Sequence, residues 1–445
     1  MNRFIDTDLK RWAADPARKP LLLRGARQVG KTFAVRQLGA SFDRYVEVNF
    51  EEYPRLKKIF DDNKDLDPFR IVRDLSAAMN VTITPGRTLL FFDETQVIPR
   101  VILALRYFYE KMPALHVIAA GSLLDFAIEK VGVPVGRIEF YTLHPMSFLE
   151  FLKAGNEDII FNEILNHEVT EPQSDVIHEK IISILREYLA IGGMPEVVLN
   201  WFDKKDPLYC AKLQHNILNA YRQDFNKYAK THQIKYVELI FEEAAKQLGG
   251  KFNFNALPGE YRKRELMPAL DLLVKAGVIQ KIYQSNGQGI PIGATANHDK
   301  FKVILLDVGL TQALLGLNLS DWLLEDQFVF INKGAIVEAF VGQELLVYSP
   351  PDFDHSLYYW QRDVKGSEAE LDYLVQLEAK IIPIEVKSDK GKHLKSMHLF
   401  LKSHADTPFG IRLSLHHYSV HEAIYSYPLY AVAAAVKFMP YSILA

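Results

Sequence analysis

Over the first 150 or so residues, short apolar runs alternate with stretches of helical spacing: Leu21–Leu23, Tyr45–Phe50, Leu89–Phe92, His116–Ala120 and Arg137–Tyr141. Strands separated by helices of this length predict a parallel sheet with helices on both faces. From about 157 to 248 the apolar positions recur at helical spacing, most clearly over Ile181–Ala190, and Gly192-Gly193-Met194-Pro195 breaks the pattern. Residues 235 to 283 then read as a helix over Glu238–Leu248, a short strand at Phe252–Phe254, a helix over Glu265–Ala276 closed by Gly277, and a strand over Val278–Tyr283. That order is the winged-helix pattern, with Asn286–Gly289 as the wing turn. Strands return from about 300, and Leu371–Leu377 and Lys380–Val386 are spaced as a hairpin around Glu378-Ala379.

Length and composition narrow the class. The 445 residues suffice for about three domains of ~150 residues each. Hydrophobic residues at 49% and charged residues at 24% are ordinary globular values, which excludes collagen-like, coiled-coil and wholly disordered chains. A net charge of −3 gives no global field toward nucleic acid or acidic membranes, so any such contact is a local patch. The single cysteine, Cys210, closes no intrachain disulfide and reads as a small buried hydrophobe in a reducing compartment. Charge in the first ten residues leaves no export signal, and the apolar stretch Tyr427–Val436 is half of what spans a bilayer. The expectation is a cytoplasmic protein without a membrane segment, its last apolar stretch packed.

Chemistry enters with Gly25-Ala26-Arg27-Gln28-Val29-Gly30-Lys31-Thr32, the G-x-x-x-x-G-K-[ST] pattern directly after an apolar strand. Glycines permit a tight loop whose amides cradle phosphates, Lys31 reaches the β and γ phosphates, and the Thr32 hydroxyl ligates Mg²⁺. Gly25 through Phe33 are therefore the candidate ATP-binding residues. Asp93 ends the strand Thr88–Asp93 and is the second expected Mg²⁺ group; Glu94 beside it is placed to orient or deprotonate the attacking water, or is an exposed strand-end acid. Ser122, after the strand His116–Ala120, is the candidate γ-phosphate sensor. Arg137 is a candidate charge-stabilising arginine, acting on its own or a neighbouring subunit, or else an ordinary ion-pair partner.

Taken with Phe92-Asp93-Glu94, Gly121-Ser122, Gly136-Arg137, His144–Phe151 and Gly192–Glu196, the loop makes the chain resemble, over nearly its whole length, the uncharacterised prokaryotic AAA-family ATPases with a C-terminal domain of unknown function. The resemblance implies an α/β fold: a P-loop AAA+ core with helical lid, a winged-helix segment, and a restriction-endonuclease-like α/β C-terminal domain. The expected boundaries are 1–155, 156–230, 231–290 and 300–445. It implies hydrolysis of ATP with Mg²⁺ and a homo-oligomer in which an arginine acts in trans.

In the last segment Asp372, Glu385 and Lys387 form a D…E-x-K constellation resembling the PD-(D/E)xK nuclease superfamily, with Leu371-Asp372 where the proline-aspartate stands. Alternation puts Glu385 and Lys387 on one strand face, and a hairpin brings Asp372 beside them. Two carboxylates there can bind Mg²⁺ while Lys387 stabilises charge or activates water, with Glu338 as a helical acid of the same site. The alternatives are an ion cluster between strands, or a degenerate nuclease fold that holds DNA without cutting it. Arg262-Lys263-Arg264 at a helix start, with Lys275 and Lys281, suit DNA phosphates or a solvated face used for protein contacts. Two functions follow: an ATPase coupled to DNA binding or processing, or an ATP-driven switch on a protein partner with an inactive C-terminal scaffold.

Overall fold

A computed structural model describes residues 2–132, 136–229, 232–320, 333–353, 356–362, 369–388 and 394–437. Strands β1 (Leu21–Arg24), β2 (Arg44–Asn49), β3 (Thr88–Asp93), β4 (His116–Ala120) and β5 (Glu139–Thr142) form a sheet in the order β2-β3-β4-β1-β5. Every pairing in it is parallel. β3 and β4 are buried at every position, as expected of strands covered on both faces, and all five expected strands are present to within about two residues. Parallel strands bring their carboxyl ends to one edge. Leu23 is level with Ala120, and Phe92 with Ala119, so the segments after β1, β3 and β4 emerge side by side.

Helices follow. Asp175–Ile191 ends at Gly192, whose φ of 79° turns the chain into Pro195–Lys204, and Pro207–Tyr228 runs 22 residues beyond it. A Cβ on Gly193 would lie 2.1 Å from the Met146 carbonyl oxygen, so only glycine permits this approach. There the Met146 amide donates to the Gly193 carbonyl at 2.7 Å, and the Gly193 amide donates to buried Asp307 at 2.6 Å. The two motifs that bracket this helical region are thus one contact between the N-terminal sheet unit and the C-terminal half.

The expected helices of the third segment are present as Ile234–Lys246 and Lys263–Lys275, while Phe254–Ala256 is a 3₁₀ turn instead of a strand. The hairpin differs more. Its strands β6 (Ile279–Ser285) and β7 (Ala296–Leu305) join an eight-stranded sheet with β8 (Leu357–Gln361), β9 (Glu370–Leu377), β10 (Lys380–Val386), β11 (Gly410–Ser414), β12 (Ser419–His421) and β13 (Ile424–Pro428). The order is β12-β13-β11-β10-β9-β8-β6-β7. β6 pairs with β8 in parallel, so the sheet crosses the boundary expected near 290–300. An exposed wing edge would leave a row of unpaired amides, and β8 satisfies them. The helix Lys333–Val347, the antiparallel run β8-β9-β10, the helix Lys395–Ser403 and β11 parallel to β10 succeed one another. The β9-β10 turn is Glu378-Ala379 as expected, with Glu378 at φ 56°. The apolar stretch after Tyr427 packs as the end of β13 and the short helix Val432–Ala435. Among the described residues no helix is long and apolar enough to cross a membrane.

Candidate nucleotide site and C-terminal carboxylate cluster

The loop between β1 and the helix Lys31–Gly39 holds its shape through backbone conformations side chains resist. Gly25 has φ 138° and Gly30 φ 98°, and a Cβ on Gly25 would sit 2.3 Å from the Leu143 carbonyl oxygen. Lys31 Nζ donates to the carbonyls of Gly25 and Ala26 at 2.8 Å each, and burial pushes its ammonium down to about 8 despite Glu94 and Asp93 nearby. Phe33 is 52% exposed just past the loop.

Asp93 is buried at the end of β3, and Thr32 Oγ1 donates to its Oδ2 at 2.9 Å. Burial, then the Glu94 charge, raises the Asp93 carboxyl to about 6. Glu94 takes a left-handed backbone, φ 54° and ψ 43°, a conformation costing about 1–3 kcal/mol in a non-glycine residue. Gln96 Nε2 donates to Glu94 Oε2 at 2.5 Å, while its own Oε1 is buried without a partner. A Cβ on Gly121 would meet that Oε1 at 2.2 Å, so glycine before Ser122 makes room for the glutamine. Gln96 was not singled out in the sequence; its place two residues after the acid was the available signal. Ser122 is buried beside the loop and lines a small cavity with Arg27, Tyr221 and Asp224.

The loop is gripped from outside the sheet. Arg3, 6% exposed, donates to the carbonyls of Val29 at 3.1 Å and His144 at 2.9 Å and pairs with Glu150 at 2.9 Å. Tyr221 donates to the Arg27 carbonyl at 2.7 Å, and Arg27 Nη1 meets both Asp224 oxygens at 2.9 Å. Arg3, Tyr221 and Asp224 carry no motif; only the fold brings them here.

Arg137 lies elsewhere. It precedes β5, whose Thr142 is level with Arg24, so it sits roughly 16 Å along the strand from the loop, at the opposite edge of the sheet. There it pairs with Glu110 at 2.5 Å and is 42% exposed on its side chain. Parallel strands put the start of β5 opposite the loop, so the structure does not bring Arg137 together with Lys31, Asp93 and Glu94.

Of the C-terminal constellation, Asp372 lies on β9, Glu385 ends β10 with Lys387 just beyond it, and Glu338 lies on the helix Lys333–Val347, and an ammonium stands against Glu338 and Asp372. Lys302 of β7, its side chain 1% exposed, pairs with Glu370 at 2.6 Å and Glu338 at 2.9 Å and lies 3.9 Å from Asp372. Asp372 Oδ2 accepts from the Val386 amide at 2.7 Å, and Glu385 turns to Lys387 at 2.7 Å. Burial and Asp372 push Glu338 up to about 8, since three carboxylates share one ammonium. Among the described residues no three His, Cys, Asp or Glu side chains are placed to hold a metal ion. Lys302 escaped the sequence because β7 reads Phe301-Lys302-Val303 as a strand with one face to water, whereas both faces are covered.

Of the basic residues near the hairpin, Lys263 pairs with Asp299 at 3.4 Å, Lys281 with Asp271 at 2.8 Å, and Lys275 with Glu129. Cys210 is buried, as expected, and burial pushes its thiol up to about 11.

Comparison with family models matches residues 17–152 to the AAA domain, 182–321 to a domain of unknown function (DUF8612) and 333–432 to another (DUF4143). The first match supports an AAA-family ATPase core carrying the loop just described. No curated protein matches the chain. Solved structures with a similar course include a Walker-type ATPase of Pyrococcus abyssi, 16% identical, covering 70% of this chain and 94% of that one at a TM-score of 0.45. Drosophila ORC bound to DNA is 16% identical over 70% of this chain and 85% of that one at 0.26. PCH-2 of C. elegans is 12% identical over 44% and 60% at 0.26.

Proposed function

We propose that the chain binds ATP with Mg²⁺ on Gly25–Phe33, hydrolyses it, and uses the cycle to switch a protein partner through a C-terminal half that is scaffold and not nuclease. The observation that carries the ATPase reading is the Thr32–Asp93 hydrogen bond at 2.9 Å with Glu94 turned out beside it. A hydroxyl and a carboxylate in contact at the foot of a phosphate loop are the donor set that holds Mg²⁺ in P-loop enzymes. The cation supplies neutralisation of phosphate charge when bound. The protein's own groups do the rest: loop amides and Lys31 bind the phosphates, Glu94 takes up the water, Gln96 fixes Glu94, and Ser122 touches the γ-phosphate.

Lys302 favours the scaffold reading of the C-terminal half. Its buried ammonium stands 2.9 Å from Glu338 and 3.9 Å from Asp372, two of the carboxylates that a nuclease would leave open to metal. Pairing of Lys263, Lys275 and Lys281 with acids of the same chain likewise suits a face used for protein contacts. ATP-favoured self-association belongs to the same proposal, with Arg137, 42% exposed on its side chain, at a face a neighbouring copy can meet. Phosphate release by the full chain with Mg²⁺ and ATP, abolished by EDTA, tests the ATPase. DNA binding followed at 50 and 200 mM salt tests the second half: affinity that falls steeply with salt restores the DNA reading, since phosphate contacts release counterions.

A further inference from the structure

The P-loop carries an arginine with no established task. Arg27 is the third residue of the loop, and the loop's two ends are fixed by the end of β1 and by Lys31 at the helix start. It lines the same small cavity as Ser122 and stands within electrostatic reach of both Lys31 and Glu94. Its backbone is fixed by the Tyr221 hydroxyl at 2.7 Å. Of its guanidinium, Nη1 alone is engaged, by the two oxygens of Asp224 at 2.9 Å; Nε and Nη2 carry no hydrogen bond among the described residues. The side chain is 38% exposed, so it can turn about its own bonds, whereas Asp224 is 6% exposed and fixed on the helix Pro207–Tyr228.

We propose that Arg27 is the charge-stabilising arginine of hydrolysis, acting in cis, and that Asp224 holds it aside between turnovers. This rests on the ATPase reading above. In the step, the water oxygen forms a bond to the γ-phosphorus, the bond from that phosphorus to the β,γ-bridging oxygen breaks, and ADP leaves with the electron pair. The water proton passes to Glu94. Negative charge spreads over the equatorial oxygens and the leaving oxygen, and a guanidinium offering two unengaged nitrogens at that position lowers its energy. Asp224 competes for the same guanidinium, and the helix that carries it lies in the segment 182–321, outside the sheet. Any partner or domain movement that draws Pro207–Tyr228 away frees Arg27. The helical segment thereby sets the rate without touching the nucleotide.

The test uses the full chain and four forms: wild type, Arg27→Ala, Arg27→Lys and Asp224→Asn. Steady-state hydrolysis gives kcat, and a fluorescent nucleotide gives Kd for ATP, for ADP and for ADP with aluminium fluoride. Arg27→Ala should lose about 10²–10³ in kcat with ATP affinity changed less than tenfold, and lose the preference for the aluminium fluoride complex over ADP. Arg27→Lys should recover only part of kcat, because a point charge lacks the fork. Asp224→Asn should raise kcat several-fold, since its amide holds the guanidinium less tightly. Mixing Arg27→Ala with Lys31→Ala should restore nothing if the arginine acts in cis. If wild type turns over and Arg27→Ala stays within threefold of it, or mixing restores activity, this proposal falls and the ATPase reading stands. If wild type neither turns over nor prefers the aluminium fluoride complex, both fall.

Discussion

Replacing Lys302 by methionine removes the buried cation that faces Glu338, Glu370 and Asp372 and leaves the packing volume nearly unchanged. Its ammonium, on a side chain 1% exposed, meets Glu370 at 2.6 Å and Glu338 at 2.9 Å; Glu370 is 28% exposed on its side chain and keeps water, whereas Glu338, at 11%, loses its partner in a buried place. Breaking a buried pair from one side costs about 3–5 kcal/mol, because a buried charge is left uncompensated. For a unit of this size that is roughly 6–20 °C in Tm. The loss depends on pH, and its sign follows from Glu338. Burial and Asp372 raise that carboxyl from 4.5 to about 8, so the folded state holds its proton more tightly than the unfolded chain. Stability linked to it is complete below about 4.5 and is lost as pH rises through 8. Without the ammonium the carboxyl rises further, so the loss continues to higher pH instead of levelling off. Thermal unfolding of wild type and Lys302→Met at pH 5.5 and pH 8.5 reads this directly. The variant should lose most at pH 8.5 and recover part of the difference at pH 5.5. A Tm within about 2 °C of wild type at both pH values, or an equal loss at both, would refute the picture of a charge-neutralising lysine.

Lys31→Ala should weaken ATP binding about 10–150-fold, the worth of ~1.5–3 kcal/mol of charge-assisted bonding, as read by nucleotide titration. Glu94→Gln should keep ATP affinity within a few-fold and lose at least about 10² in kcat; an unchanged rate moves the water-orienting role elsewhere. Gln96→Ala should lower kcat about tenfold with Kd unchanged, because it frees Glu94 to leave its left-handed turn, and a change confined to Kd would contradict that positioning role. Asp93 must be ionised to hold Mg²⁺, and burial raises it to about 6, so Mg²⁺-dependent ATP affinity should fall as pH drops from 7 to 5, by about tenfold at pH 5. In Asp93→Asn the affinity should be weak and flat over the same range.

Local chemistry was readable along the chain. The loop Gly25–Thr32 needs its glycines for φ 138° and 98°, Asp93 must end a strand buried on both faces, and the apolar runs of period and length seen here form β1 to β5 wherever their neighbours fall. Those are consequences of residue type within a few positions, and a sequence states them. What the tertiary structure alone decided is which distant charge meets which. Arg137 follows a glycine as an arginine finger can, yet parallel pairing of β5 with β1 sends it to the far edge of the sheet. Arg27 reads as one more loop residue until a helix two hundred residues away sets Asp224 against it. Asp372, Glu385 and Lys387 have the spacing of a metal site, and Lys302 becomes their neighbour only because β6 pairs with β8 and carries β7 to the sheet edge beneath the helix Lys333–Val347. Spacing fixes which face of a strand a side chain takes. The sign of the charge waiting on that face is set by strands from elsewhere, and here it sets one ammonium among three carboxylates.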